Sequence, residues 1–366
     1  MTKLNTQASA IDMSEATAES TVTPLSRAHL VQKYYYAPTE SGGSQQAYIE
    51  DQSANLVVEA AISIIINGIH YAVLMASPYQ LEYLAIGFLF SEGLIQHSHD
   101  LLDWEVTQLT DMASYQRFTQ DSMDENDTAG SFEQTLAQLQ DYDIYVVELT
   151  LNQRSHQRIQ AQRRQLAGRT GCGMCGITGL TQALPDLSGY KSNNHSQEHF
   201  QRDLERDLER DLKSDLETNL ASGFHDKSQN QPENSVRNKA AMPSFDYLLQ
   251  IRAQVDATQH THQLTGAVHA AATMQGQHLH LFEDVGRHNA LDKLIGWQLR
   301  HKVDVDCVVM TSRLSIELVQ KSIRSQIPWL VGMSAPTSTA VCVAERYGLG
   351  LAGFLRDNRV TYYSGF

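Results

Sequence analysis

Cysteine is scarce in this chain: four residues in 366, at positions 172, 175, 307 and 342. So few thiols, without regular spacing, exclude a disulfide-stapled scaffold and suit a reducing cytoplasm, the expected location. Basic residues are outnumbered, 28 against 42 acidic for a formal net charge of −14. Such a surface turns nucleic acid away unless a local basic pocket is built. Long apolar runs are missing too. The most apolar stretch, Val57–Ala76, is broken by Glu59, Asn67 and His70, each costly in lipid, so no membrane span is expected. Residues Met1–Gln7 lead into a Ser/Thr/Ala/Glu stretch with no apolar core, which argues against a signal peptide. What remains is a length sufficient for two compact domains with room for segments that do not fold.

The pattern divides the chain into four parts. Residues 1–55 are polar and weakly periodic, and a flexible extension is expected there, with local order near Tyr34–Tyr36. Residues 56–185 read as a smaller α+β region. Within it Ile62–Ile66 and Tyr71–Met75 are strands joined at Asn67-Gly68, a hairpin signal. Ser77-Pro78 opens a helix in which Leu81, Leu84, Ala85, Phe88 and Leu89 recur at helical spacing until Ser91-Glu92-Gly93. A polar insertion at about 108–138 precedes a further strand, Ile144–Leu151. Residues 186–242 form a second, charged and partly helical insertion. Its repeat sets Leu204, Leu208, Leu212 and Leu216 on one stripe, too narrow for a partner-binding face, so a solvated single helix is expected. Residues 243–366 alternate strands near His278–Phe282, Cys307–Met310, Trp329–Met333 and Leu349–Phe354 with helical stretches near Asn289–Leu299, Ser315–Arg324 and Thr337–Tyr347. That alternation predicts a three-layer α/β domain on a mostly parallel sheet.

In such a sheet ligands bind outside the carboxyl ends of the strands. Here those ends run into Glu283–Asn289, Thr311-Ser312-Arg313, Ser334–Ser338 and Arg356-Asp357-Asn358-Arg359. Helix starts rich in Ser and Thr, with arginines nearby, suit a phosphate-bearing ligand, because free N–H groups and guanidinium forks both receive anionic oxygens. Any one of these Ser and Thr residues taken alone reads as an ordinary helix cap. Four polar loops on one edge make a site.

The other chemical feature is the run Gly168–Gly176, which holds Cys172 and Cys175 among glycines with Arg163, Arg164 and Arg169 upstream. Glycines permit a tight exposed turn, and the arginines favour the thiolate. Three readings fit the pair. As half a zinc site it needs histidines, His269 or His288, because Cys307 and Cys342 fall in an apolar strand and helix where burial is the default. As a redox pair it lacks the strand and helix context of that motif. As a sulfur carrier it needs one exposed, low-pKa thiolate on a mobile loop. The residues alone leave all three standing.

The run Arg169–Gly176, together with Phe282–Lys293, closely resembles the formate dehydrogenase accessory sulfurtransferase family, FdhD. Asn67-Gly68, Ser77-Pro78, Ala85–Phe88, Ser91-Glu92-Gly93, Thr311-Ser312-Arg313, Ser334–Thr337 and Gly353–Arg356 follow in the same order. The resemblance covers about 57–105, 141–185 and 243–366, and leaves out the extension and both insertions. It implies a sulfur carrier that takes sulfur from a cysteine desulfurase as a persulfide. The sulfur passes to the molybdenum cofactor, Mo-bis(molybdopterin guanine dinucleotide), bound as acceptor and destined for formate dehydrogenase. Cys172 would carry the persulfide and Cys175 would support it. The family's cofactor-binding segment falls on Phe354, Leu355, Arg356, Asp357, Asn358 and Arg359. A homodimer is implied, as is a cytidine deaminase-like fold for the last domain. Deamination is not expected, since His269-Ala270-Ala271 lacks the glutamate of the deaminase motif and the cysteine pair precedes it instead of following; no resident metal is expected either. The alternatives are a zinc-dependent deaminase-like hydrolase using Cys172, Cys175 and a histidine, and a cofactor chaperone without a covalent sulfur step.

Overall fold

The computed structural model describes residues 25–36, 47–110, 113–114, 142–155, 186–190 and 241–366. The repeat around Leu204–Leu216 and most of both insertions lie outside the described residues. Three sheets are present among those described, of two, four and six strands.

The first departs from expectation. Residues Ser26–Tyr36 (β1) and Ala47–Val57 (β2) pair antiparallel along their whole length, so the extension at 1–55 contains an ordered ribbon. The alternation was hidden because neither face is buried: Leu30, Tyr34, Ile49 and Leu56 are all exposed. A strand pattern is legible only where one face meets a core.

The second sheet runs in the order β4-β3-β6-β5, built from Ala60–Ile66 (β3), Ile69–Ala76 (β4), Leu101–Gln108 (β5) and Ile144–Leu151 (β6). The β3–β4 hairpin turns at Asn67-Gly68, where both residues have positive φ, 49° and 77°, as a type I′ turn requires. Leu81–Ser91 (α1) lies on this sheet and packs Leu81, Leu84, Ala85, Ile86 and Leu89 against Ile62, Ile64, Ile66, Val147 and Leu149. Its other side meets the last domain, which is why it is apolar nearly all round.

The third sheet is built from His269–Gln275 (β7), His278–Asp284 (β8), Cys307–Met310 (β9), Trp329–Gly332 (β10), Gly350–Arg356 (β11) and Arg359–Ser364 (β12), in the order β12-β11-β10-β9-β7-β8. Phe245–Thr258 (α2) and His260–Thr265 (α3) precede it. Arg287–His301 (α4), Ile316–Arg324 (α5) and Ser338–Tyr347 (α6) follow β8, β9 and β10. Alternation along the strands sorts the two faces. Val308, Met310, Leu330 and Leu351 meet α4, α5 and α6, whereas Cys307, Val309, Val331 and Ala352 meet Leu248, Ile251 and Val255 of α2.

The three layers agree with expectation; the parallel sheet does not. Only β9–β10 and β10–β11 are parallel, two of five adjacent pairings. The short connections β7–β8 and β11–β12 close hairpins, which fixes those pairs antiparallel. Even so, β8, β9, β10 and β11 all point the same way. The two strands that the sequence pattern does not predict, β7 and β12, are the ones that run against them.

The segment at 186–190, assigned above to the charged insertion, is anchored. Leu187 is a core residue beside α6, and Asp186 accepts hydrogen bonds from Ser188.

The two larger units meet at a close crossing of α1 and α4. A Cβ on Gly87 would sit 1.8 Å from the Asp292 carbonyl oxygen, and one on Gly296 would sit 1.9 Å from that of Tyr83. Polar groups complete the joint. Fully buried Lys293 pairs with Asp284 at 2.7 Å and donates to the carbonyls of Ser77 and Glu283. Asp284 also accepts from the Ser77 N–H and from Asn289, whose amide reaches the Met75 carbonyl. One turn on, Asp292 accepts from Ser91 and from Lys321. Burial pushes the Asp292 carboxyl up, and Lys321 and Ser91 oppose that shift.

Candidate functional site at the strand-end edge

Because β8 to β11 are co-directional, their carboxyl ends share one edge of the sheet. Backbone bonds tie the loops there together. Thr311 N–H donates to Ala270, Met333 to Met310, Leu314 to Ala335, Thr337 to Leu314 and Phe354 to Ser334. The amino end of the opposed strand β7 brings His269 to the same edge.

Several of the Ser and Thr residues there are ordinary structural groups. Thr337 Oγ1 caps α6 by accepting from Ala340 N–H. Thr311 Oγ1 accepts from Ala270 N–H. Ser315 differs. It holds the N-cap position of α5, yet its hydroxyl caps nothing, and its Oγ is buried without a hydrogen-bond partner.

Three atoms near the starts of α4 and α5 share that condition among the described residues: Arg287 Nε, His288 Nε2 and Glu317 Oε2. His288 Nε2 and Glu317 Oε2 stand 4.0 Å apart, too far to bond, with side chains 15% and 19% exposed. Leaving a buried donor or acceptor unmet costs about 1–3 kcal/mol per group. Such buried atoms call for bound water or another polar partner. Burial, reinforced by Lys321 and Arg287 and opposed by Glu317, depresses the His288 pKa to about 4, so its ring is neutral at ordinary pH. His269 is shifted the same way, by burial first and then by Arg287, His262 and Arg313.

At the other end of the edge, residues 354–359 form the tip of the β11–β12 hairpin. Phe354 takes a positive φ of 52°, and Arg359 lies over its ring, 5.9 Å from the centroid. Arg356 is exposed and donates to the Met333 and Leu355 carbonyls. Asp357 pairs with Arg252 at 2.8 Å. Asn358 is exposed in the turn. Leu355 is buried in the core, so it supports the tip and its side chain cannot touch a ligand. Arg313 is exposed on the loop after β9, and with Arg356 and Arg359 it leaves this edge basic on an acidic protein.

Cys172 and Cys175 lie outside the described residues, with the whole run Gly168–Gly176. Cys307 is buried in β9 as expected, its thiol pushed well above the usual range by burial. Cys342 is exposed, against expectation. The helix α6 buries only the stripe Ala340, Ala344 and Tyr347, and Cys342 falls on the far side of it. Among the described residues no three His, Cys, Asp or Glu side chains are grouped to hold a metal ion. No helix among them is long and apolar enough to cross a membrane.

The sequence pattern marks Arg287 and Ser315 only as loop and helix start, and gives Glu317 no role. The available signal was its register. It sits at the second helical position, one short of where an acid closes a capping box behind Ser315.

With this geometry in place, the likenesses to known proteins are informative. A family model described as the FdhD/NarQ family matches residues 57–225 and 195–366. The sulfur carrier protein FdhD of Acinetobacter baylyi is 31% identical over 312 residues, spanning 84% of this chain and 86% of the relative. That of Chromobacterium violaceum is 33% identical over 312 residues, spanning 84% and 87%. A solved structure described as a formate dehydrogenase accessory protein from Desulfotalea psychrophila superposes with a TM-score of 0.48 at 16% identity, covering 93% of this chain and 97% of its own.

Proposed function

The chain belongs to the FdhD/NarQ family, and from that premise we propose that it is a sulfur carrier serving formate dehydrogenase maturation, acting as a sulfurtransferase through a persulfide on Cys172. The observation that carries the reading is the likeness to named sulfur carrier proteins along 84% of the chain. In the first step the Cys172 thiolate attacks the outer sulfur of a persulfide on a cysteine desulfurase. A new S–S bond forms at Cys172, the old one breaks, and the desulfurase cysteine leaves as a thiolate, so no outside oxidant or reductant is needed. Cys175 supports the carrier by relaying the sulfur or resolving the persulfide.

The acceptor is the molybdenum cofactor in its bis(guanine dinucleotide) form, met at the strand-end edge. Arg356 and Arg359 at the hairpin tip, with Arg313 and the starts of α5 and α6, supply charge and N–H groups for pyrophosphate oxygens. The edge supports this reading because four loops meet there and its arginines are exposed. The working protein is a homodimer on this reading.

The test is direct. Incubated with a cysteine desulfurase and cysteine, the protein should gain one sulfur, removable by reductant and located on Cys172 by mass spectrometry. Cys172→Ser should gain none and should fail to support formate dehydrogenase activity. An unlabelled wild type, with maturation surviving in Cys172→Ser, would overturn the carrier mechanism in favour of a chaperone without a covalent step.

A further inference from the structure

The ribbon of β1 and β2 is turned apolar side out. Alternation along the paired strands sets Leu30, Tyr34 and Ile49 on one face and Arg27, Lys33 and Glu50 on the other. The charged face is the one toward the body. Val31, Tyr35, Gln52 and Ala54 on it are half-buried, and α3 packs against both strands. Polar groups are matched there, with Lys33 opposite Glu50 and the Gln52 amide donating to the Tyr35 hydroxyl. The apolar face looks outward, with Leu30 73%, Ile49 54% and Tyr34 52% exposed. An antiparallel sheet with one solvated side ordinarily shows water its polar face.

The ribbon is also held out for contact. At its root the Val58 N–H donates to the Leu25 carbonyl, and Arg27 pairs with Asp143 at 2.7 Å. Two strands alone are marginal in water, and a further layer on the apolar face supplies what they lack. The charge of that face limits what the layer can be. Asp51 is its one charged residue, so it offers no field to steer an acidic or a basic partner. On a chain of net charge −14 it is a place where two copies can meet without repulsion along the whole contact.

Spacing points the same way. Tyr34 lies directly opposite Ile49, and Leu30 stands four residues along β1, on the order of 13 Å away at about 3.4 Å per residue. Gln32 and Asp51, opposite each other, mark the midpoint. A two-fold axis in the contact plane, through that midpoint and across the strands, brings Leu30 of each copy onto the Tyr34 and Ile49 pair of the other. The face is self-complementary, as a closed isologous contact requires. Resting on the homodimer reading above, we propose that the outward face of the β1–β2 ribbon is the surface through which two copies of this chain join. With strands of eleven residues the face measures roughly 37 by 10 Å. That is about half of what one partner of a standard interface buries, so the dimer dissociates at measurable concentrations.

The experiment follows the full-length chain by sedimentation across a range of concentrations. Wild type should pass from monomer to dimer as concentration rises. Tyr34→Ser combined with Ile49→Ser removes two apolar side chains that each count twice in a symmetric dimer. It should raise the dissociation constant at least about a hundredfold. Leu30→Lys should raise it at least about tenfold, which carries the test if the double variant does not fold. Asp51→Asn should act in the opposite sense, tightening the dimer about threefold, because Asp51 stands near the axis and faces its own copy. His29→Ser, on the face toward the body, should leave the constant within about twofold. Since the substituted side chains are exposed, thermal midpoints should stay together, and persulfide formation on Cys172 should persist in every variant. A wild type that is monomeric at every concentration overturns the homodimer reading and this surface with it. A dimer left unchanged by both the double variant and Leu30→Lys keeps the homodimer and overturns the ribbon as its surface, and a different protein or the chain's own residues then cover the face. Asp51→Asn that fails to tighten the dimer overturns the placement of the axis.

Discussion

The α1–α4 joint and the strand-end edge draw on one stretch of chain, Glu283–Lys293, and treat its polar groups in opposite ways. At the joint Asp284, Asn289, Asp292 and Lys293 are buried, and each has partners from the other unit or from α5. At the edge Arg287 and His288 keep buried nitrogens with none among the described residues. A motif that reads as a single functional signature is thus a structural clamp with two residues left open. The difference teaches that burial of polar groups has two meanings, and only the partner list separates them.

The joint can be broken most severely at Lys293. Lys293→Met leaves the Asp284 carboxylate buried without its counter-ion, and removing one member of a buried pair costs about 3–5 kcal/mol. Denaturant unfolding should show that loss. Burial opposes the charged form of Lys293, so Lys293→Met combined with Asp284→Asn should recover much of it. A double variant as unstable as the single one would show that the clamp does not depend on the charge pair.

A smaller effect is expected at the helix crossing. Gly296→Ala places a methyl against the Tyr83 carbonyl, 1.9 Å from the would-be Cβ, and a backbone neighbour cannot step aside as a side chain can. The expected loss is about 1–3 kcal/mol, read as a lowered denaturation midpoint. If Gly296→Ala is neutral, the two helices are not held as closely as described.

Much of this was legible in the sequence, for physical reasons that differ by element. The β3–β4 hairpin announced itself because Asn67-Gly68 satisfies a turn that demands positive φ at both positions. The strands β8 to β11 were legible as apolar runs after which the chain turns polar. Strand β7 was not, because His269-Ala270-Ala271-Ala272 carries little side-chain bulk and reads equally as helix. Its omission turned a mixed sheet into a mostly parallel one, yet left the shared strand-end edge correct, since the missed strands are the opposed ones. At the site, the arginines of residues 354–359 were legible from charge. Glu317 was not, because an acid in the first turn of a helix has a ready explanation in the helix dipole. Its missing partner is a tertiary fact that no local pattern records.

The smallest effect tests whether the edge is as dry as its unmet atoms imply. The folded His288 ring takes a proton only near pH 4, against an ordinary value of 6.5. Between those values the unfolded chain binds a proton at this position that the folded protein refuses, so stability rises with pH across the interval. Its contribution is therefore fully present above about pH 6.5 and is lost as the pH falls toward 4. His269 and His280 are lowered too and add slope of the same sign, so the wild type should lose stability steadily on acidification. His288→Gln should remove its share, about 1 kcal/mol per pH unit once discounted for partial exposure. Urea unfolding at pH 7, 6 and 5 reads the difference. Parallel curves for wild type and His288→Gln would mean that the folded imidazole is protonated as readily as a free one. In that case the atoms around it are met by water, and the contrast with the sealed joint disappears.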